Sequence, residues 1–132
     1  MDSYKILYQH VTSGDAWTKT YSVPAADSVS VGSGDVTVSP VAVGVQTQTL
    51  ITSIIVCCQT GSSVTYSLGL KQDTSDGDPS NTQTIVFQKS IAAKVTEVLS
   101  MGLTLGVDNT IWVRAEGTDP VVSFTIMGIE IT

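Results

Sequence analysis

Hydrophobic and polar residues alternate in short runs along most of the chain, and turn-forming residues separate each run from the next. Alternation of period two is typical of a β-strand with one buried and one solvated face. Runs of this kind, or fully apolar ones, lie at 4–8, 18–23, 50–58, 64–71, 84–88, 94–101, 110–115 and 121–132, with a further short strand or bulge at 102–106. This pattern predicts a two-sheet antiparallel β-sandwich of eight or nine strands, with jelly-roll-like wiring.

Three runs carry more specific expectations. Ile6 is the expected inward residue of the first strand. The run 50–58 is apolar on both faces, which predicts a strand covered on each side. In the last strand Gly128 interrupts the alternation, which predicts a β-bulge that turns the strand at a sheet corner.

The segment 28–45 alternates Ser and Thr with Val around a Gly-Ser-Gly-Asp sequence at 32–35. This pattern predicts a hairpin inserted between the second strand and the central strand. No domain linker or repeat of fixed period interrupts the chain, so we expect residues 1–132 to form one β-sandwich domain.

Composition supports the all-β prediction. Val, Thr and Ile together account for 46 of the 132 residues, whereas Leu and Ala contribute only 7 each. The β-branched residues favour strands, and the scarcity of good helix formers excludes helical bundles and coiled coils. The hydrophobic fraction of 42% is too high for a disordered chain.

The charge balance excludes several classes of partner. Twelve acidic and six basic residues give a net charge of −6, and the basic residues are scattered singly. Nucleic acids and anionic membranes both require clustered positive charge, so we expect neither as a partner. The N-terminus lacks a leader pattern and the longest apolar run, 54–58, is too short to span a bilayer. We therefore expect a protein made in a cytoplasm that stays soluble or is assembled there.

Residues with catalytic or metal-binding chemistry are few. His10 is the single histidine, and no nucleophile motif frames it, so a solvent-facing polar residue is the simpler interpretation. Cys57 and Cys58 are neighbours on a strand and point to opposite faces, which suits neither a disulfide nor a zinc site. Phosphate-binding glycine motifs are absent from the sequence. We therefore expect no enzyme activity, no metal site and no cofactor.

Two features are candidates for partner contact. The acidic segment, residues 73–81, holds three carboxylates that either ligate Ca²⁺ or belong to a hydrophilic loop. The two tryptophans are either contact anchors or core residues, and a sugar-binding surface usually needs two or three aromatic side chains on one face. The candidate contact residues are Trp17, Asp73, Asp76, Asp78, Trp112 and Arg114.

Several stretches resemble a family of small virion proteins of tailed phages, cyanophages among them. They are Tyr-Ser-Val-Pro-Ala at 21–25, the central strand and turn at 50–61, the block from Leu-Thr-Leu at 103–105 through 110–115, the closing stretch 124–131, and the opening stretch 4–9. The chain departs from the family pattern in the insertion 28–45 and in its longer, more acidic segment 73–81.

The resemblance implies a β-sandwich or jelly-roll fold and a structural role in the virion. It implies a capsid decoration (cement) protein that binds at capsomer junctions, with the major capsid protein or other virion proteins as partners and a homo-oligomer such as a trimer as the functional unit. Alternatives are a protein of the tail, baseplate or fibre, and a carbohydrate- or receptor-binding module. The expected location is the virion.

Overall fold

The computed structural model describes residues 4–24 and 48–131, which form eight β-strands and one short 3₁₀ helix. The predicted hairpin insertion at 28–45 lies outside the described residues. The elements are β1 (Tyr4–Ser13), β2 (Thr18–Ser22), β3 (Gln48–Cys58), β4 (Val64–Lys71), the 3₁₀ helix (Asn81–Gln83), β5 (Thr84–Ile91), β6 (Thr96–Leu105), β7 (Thr110–Glu116) and β8 (Val121–Ile131).

The strands form two four-stranded antiparallel sheets, which confirms the predicted two-sheet β-sandwich. Sheet A has the order β1-β8-β3-β6, and sheet B has the order β2-β7-β4-β5. Strand pairs are nested about the β4–β5 connection, because β4 pairs with β5, β3 with β6, β2 with β7 and β1 with β8. The stretch 102–106, expected as a separate strand or a bulge, mostly continues β6.

The core lies between the sheets and follows the predicted alternation. In β8 the even-numbered residues from Val122 to Ile126 are buried, and the residues between them are partly exposed. Phe124 meets Tyr66 of the opposite sheet edge to face, with ring centroids 6.2 Å apart. Fully buried side chains come from both sheets, among them Ile51, Ile54, Val56, Leu68, Ile111 and Val113.

Strands β8 and β3 approach each other closely at Gly128. A Cβ atom at Gly128 would overlap the carbonyl oxygen of Leu50, so only glycine fits this position. The predicted bulge does not lie in β8: the register shifts near Gly128, but the extra residues belong to the neighbouring strands. Leu7 is the unpaired residue of β1, and Thr52 is the unpaired residue of β3.

The bulge at Leu7 corrects the prediction for the first strand. Leu7 packs against the core, whereas Ile6 pairs with Met127 and points outward with 52% of its surface exposed. A β-bulge shifts which residues face the core, and a period-two pattern read from the sequence does not register that shift.

One edge of the sandwich is closed by a tyrosine–glutamate–lysine link. The Tyr21 hydroxyl of sheet B donates a hydrogen bond to Oε2 of Glu130 in sheet A at 2.8 Å. The other carboxylate oxygen of Glu130 forms an ion pair with Lys5 Nζ at 2.7 Å. Hydrogen bonds from Lys5 and Tyr21 lower the pKa of Glu130, whereas burial raises the pKa of Tyr21.

The opposite edge repeats this arrangement with different strands. The Tyr66 hydroxyl of β4 donates to Oε2 of Glu97 in β6 at 2.8 Å, and Lys89 Nζ of β5 lies 2.9 Å from the same oxygen. Hydrogen bonds from Lys89 and Tyr66 lower the pKa of Glu97. A carboxylate that is held by a neutral and a cationic donor connects the sheets at each edge.

Within the described ranges, no helix is both long and apolar enough to cross a membrane.

We expect Gly128→Ala to lower the free energy of unfolding by about 3 kcal/mol, because the new methyl group meets backbone that cannot move aside. The matched control is Gly102→Ala in β6, where a Cβ atom would meet nothing within 4 Å. Urea unfolding of both variants tests this. Equal stability of the two variants would contradict the close approach of β8 to β3.

We expect stability to fall in acid as the two edge carboxylates are protonated. Because the folded-state pKa of Glu97 and of Glu130 lies below its usual value of 4.5, each contributes stability above about pH 4.5 that is lost as the pH falls through the lowered pKa. The double variant Glu97→Gln/Glu130→Gln should therefore be less stable at pH 7 and lose less stability on acidification. Urea midpoints at pH 7 and about pH 3.5 measure this, and identical losses in the variant and the wild type would contradict it.

Candidate functional site

The candidate contact residues expected from the sequence lie on one side of the molecule, over the outer face of sheet B. Trp112 and Arg114 point outward from β7, because the residues that alternate with them, Ile111, Val113 and Ala115, belong to the core. The acidic segment follows β4 and folds back over this face.

The acidic segment is anchored on the buried amine of Lys71, the last residue of β4. Lys71 Nζ donates to the Ser75 carbonyl at 3.1 Å, to Ser75 Oγ at 2.8 Å and to the Gly77 carbonyl. Asp73 Oδ1 lies 3.6 Å from the same amine, whose side chain is only 5% exposed. The oxygen atoms of the segment thus converge on a cation that the chain itself supplies.

Trp112 lies beneath this cover and is 3% exposed. Lys71 Nζ sits 5.0 Å from the centre of its ring, within cation–π distance. The indole Nε1 donates to Thr110 Oγ1 at 3.0 Å, and the Thr110 hydroxyl donates to the Asp73 carbonyl at 3.0 Å. The sequence allowed two alternatives for Trp112, an exposed contact residue or a buried residue. The side chain is buried, so Trp112 is not an exposed contact residue.

Two further contacts hold the acidic segment in place. Lys19 of β2 donates to the Thr74 carbonyl at 2.8 Å and to Asp76 Oδ1 at 2.9 Å. Pro79 is buried against Gly69, where a Cβ atom would lie 2.9 Å from the proline ring.

The three carboxylates of the acidic segment differ in their surroundings. Hydrogen bonds from Ser75 lower the pKa of Asp73, and the hydrogen bond from Lys19 lowers the pKa of Asp76. Asp78 is exposed. In place of a calcium-binding arrangement, the loop oxygens face Lys71, and no three His, Cys, Asp or Glu side chains of the described residues are grouped to hold a metal ion.

Trp17 and Arg114 form a second, smaller contact on the same side. The guanidinium carbon lies 6.0 Å from the centre of the Trp17 ring. Arg114 Nε donates to the Asp15 carbonyl at 2.7 Å and lies 3.4 Å from Glu116 Oε1. Trp17 is half-buried by these contacts, so the structure does not place two tryptophan faces together for stacking on a sugar.

A cleft of about 510 Å³ opens to solvent at one end of the sandwich, with Leu70, Gln83, Ile85 and Leu105 among its walls. Its lining is aliphatic carbon with neutral amide and hydroxyl groups, apart from Lys71. The Lys71 amine is already held by the acidic segment. A ligand in the cleft would therefore meet apolar and hydrogen-bonding groups, and the one charged side chain in the lining, Lys71, is already bound by the acidic segment.

The outer face of sheet A has the opposite character, and the candidate list from the sequence does not include it. Strand register places mostly aliphatic and hydroxyl side chains on this face, and no other described element covers it. Ile6 and Val98, on the two edge strands, are 52% and 60% exposed. We call this surface the packing face; its residues are Tyr4, Ile6, Gln9, Val11, Gln48, Leu50, Ser53, Ile55, Cys57, Thr96, Val98, Ser100, Thr104, Val121, Ser123, Thr125, Met127, Ile129 and Ile131.

No ionisable Asp, Glu, Lys, Arg or His side chain belongs to the packing face among the described residues. The glutamates of this sheet, Glu97 and Glu130, turn toward sheet B, where the tyrosine hydroxyls reach them. His10 pairs with the core residue Phe124 and therefore lies on the inner side of β1.

One sequence signal pointed to the packing face. The run 50–58 was expected to be covered on both sides, yet Ile55 and Cys57 are partly exposed on the outer side.

A scan against models of protein families finds no model that matches the chain, and a search of curated proteins finds no match. Interpretation of function therefore depends on the two outer faces. That of sheet B is covered by the acidic segment, and that of sheet A has neither a charged side chain nor a cover among the described residues.

We expect Lys71→Met to lower the free energy of unfolding by about 2 kcal/mol, because the loop oxygens lose a buried cationic donor. Lys19→Met is the matched control. Its partner Asp76 is 96% exposed in its side chain, so the loss should be about 1 kcal/mol or less.

In a Trp17→Phe background, the fluorescence of Trp112 should shift to the red only in the Lys71→Met variant as the acidic segment detaches. Equal urea midpoints and equal spectra for the two lysine variants would contradict the anchoring role of Lys71.

Proposed function

We propose that this protein is a structural protein of a virus particle, a capsid decoration (cement) protein that stabilises a phage head by binding at capsomer junctions. Its partners in this role are the major capsid protein or other virion proteins. It acts by burying surface against neighbouring subunits, without a chemical step.

The packing face carries this proposal. Ile6, Val11 and Val98 each expose more than half of their surface on this face, and large apolar side chains exposed together on one face are typical of a contact surface. With a net charge of −6, the chain has ample charge to solvate a sheet face, yet the described part of this one has none. Selection for solubility alone does not account for a neutral face of aliphatic and hydroxyl side chains on a charged protein.

The strand order supports the same proposal. The nested pairs β1·β8, β2·β7, β3·β6 and β4·β5 are those obtained when one long antiparallel hairpin is wrapped into two sheets, as in a jelly roll. Eight-stranded jelly rolls are the architecture of many viral capsid domains, and also of lectin domains. The resemblance of residues 21–25, 50–61, 103–115 and 124–131 to small virion proteins favours a viral capsid role over a lectin role.

Sugar binding is less well supported by the geometry. A carbohydrate site needs accessible aromatic faces, and Trp112 lies under the acidic segment while Trp17 is stacked on Arg114. Several charged groups on that side are paired with one another, among them Asp76 with Lys19 and Arg114 with Glu116.

The experiment that tests the proposal is binding of the purified protein to undecorated cognate capsids. We expect saturable binding and a copy number in purified virions near that of the major capsid protein, or a simple fraction of it. A few copies per particle would assign the protein to the tail instead. If the protein does not bind capsids and is also absent from virions, the virion role is overturned. A glycan screen would then follow.

A further inference from the structure

We infer that the packing face is occupied by a second copy of this chain, with the two A sheets packed face to face about a two-fold axis. This inference rests on the proposed function, in which the packing face is a protein contact, and assigns that face to a second copy within the decorating unit, in addition to the virion proteins that the unit binds. Two sheets that pack in this way lie about 10 Å apart with their side chains interdigitated.

The distribution of charge favours a copy over a different protein. Around a two-fold axis each residue near the centre meets its own counterpart, so any ionisable group there would face a like charge. The described part of the packing face avoids this conflict completely. A different partner would usually be selected through complementary charges, and the described part of this face offers none to complement.

The acidic outer face of sheet B is unsuited to self-pairing of a chain with a net charge of −6. Sheet B presents Asp73, Asp76 and Asp78 above its outer face, and residues 108 and 119 place further aspartates in the turns. Two acidic chains can therefore approach closely on sheet A while these carboxylates stay on the far side of each copy.

The size of the packing face is sufficient for a dimer. Its four strands contain 10, 11, 11 and 10 residues. With strands about 4.8 Å apart and a rise of about 3.4 Å per residue, the face covers about 600 Å². Two copies would bury about 1,200 Å² in total, at the lower end of stable specific interfaces, which predicts a dimer of moderate affinity.

Sedimentation equilibrium of the isolated full chain tests the inference. We expect the wild type to reach twice 13.9 kDa as its concentration is raised. Val98→Lys and Ile6→Lys, on the two edge strands, should each raise the dimer dissociation constant at least about 100-fold by placing an ammonium group without a partner charge in the interface.

Phe87→Lys is the matched control, because Phe87 is 69% exposed on the edge strand of sheet B. The same substitution there should leave the dissociation constant within about threefold of wild type. A wild type that stays monomeric at high concentration, or a dimer that only Phe87→Lys disrupts, would overturn the inference.

Cys57 provides a readout that needs no substitution. It lies on the packing face and is partly exposed, whereas Cys58 is buried. Alkylation of Cys57 should slow at least about tenfold when the protein concentration rises above the dimer dissociation constant. A labelling rate that does not change with concentration would contradict occupancy of this face by a second copy.

The results also separate this inference from the proposed function. A monomer that still binds undecorated capsids saturably would overturn the second copy and leave the virion role intact. A dimer disrupted by Val98→Lys that binds no capsid and is absent from virions would overturn the virion role alone.

Discussion

Two tyrosine–glutamate hydrogen bonds between the sheets determine where charge lies on this molecule. Tyr21 reaches Glu130 at one edge of the sandwich, and Tyr66 reaches Glu97 at the other, each at 2.8 Å. Because these hydroxyls and the neighbouring lysines satisfy the carboxylates at the edges, both glutamates of sheet A point inward. The outer face of that sheet is consequently left to aliphatic and hydroxyl side chains.

The outer faces of the two sheets differ in how far the described chain covers them. Sheet B covers its own tryptophan with the acidic segment, whose oxygens bind the amine of Lys71. In this arrangement the acidic segment contacts Lys71 of the same chain, and it shields Trp112 from solvent. Sheet A has no such cover among the described residues. A protein whose sheet B is covered by its own loop, and whose sheet A has an uncharged and uncovered outer face among the described residues, is suited to packing against other subunits.

The sequence predicted the β-sandwich and most strand positions, because alternation of apolar residues is a local property. It did not predict which side of β1 faces the core, since the bulge at Leu7 depends on pairing with a strand more than a hundred residues away. The cover over Trp112 was equally hidden, because Lys71 and Gly77 give no sign of their contact in the sequence. The acidic segment is recognisable in the sequence by its composition. The only sequence signal for the packing face is the run 50–58, which is apolar on both faces of its strand.

The central claim is that the packing face is a contact surface between two copies of this chain. The most direct test is a series of methyl NMR spectra of the full chain recorded at increasing protein concentration. The account predicts that the methyl signals of Ile6, Ile55, Val98 and Met127 shift or broaden, while that of Ile85 on sheet B stays unchanged. Changes confined to Ile85 and its neighbours, or none at any concentration, would contradict it.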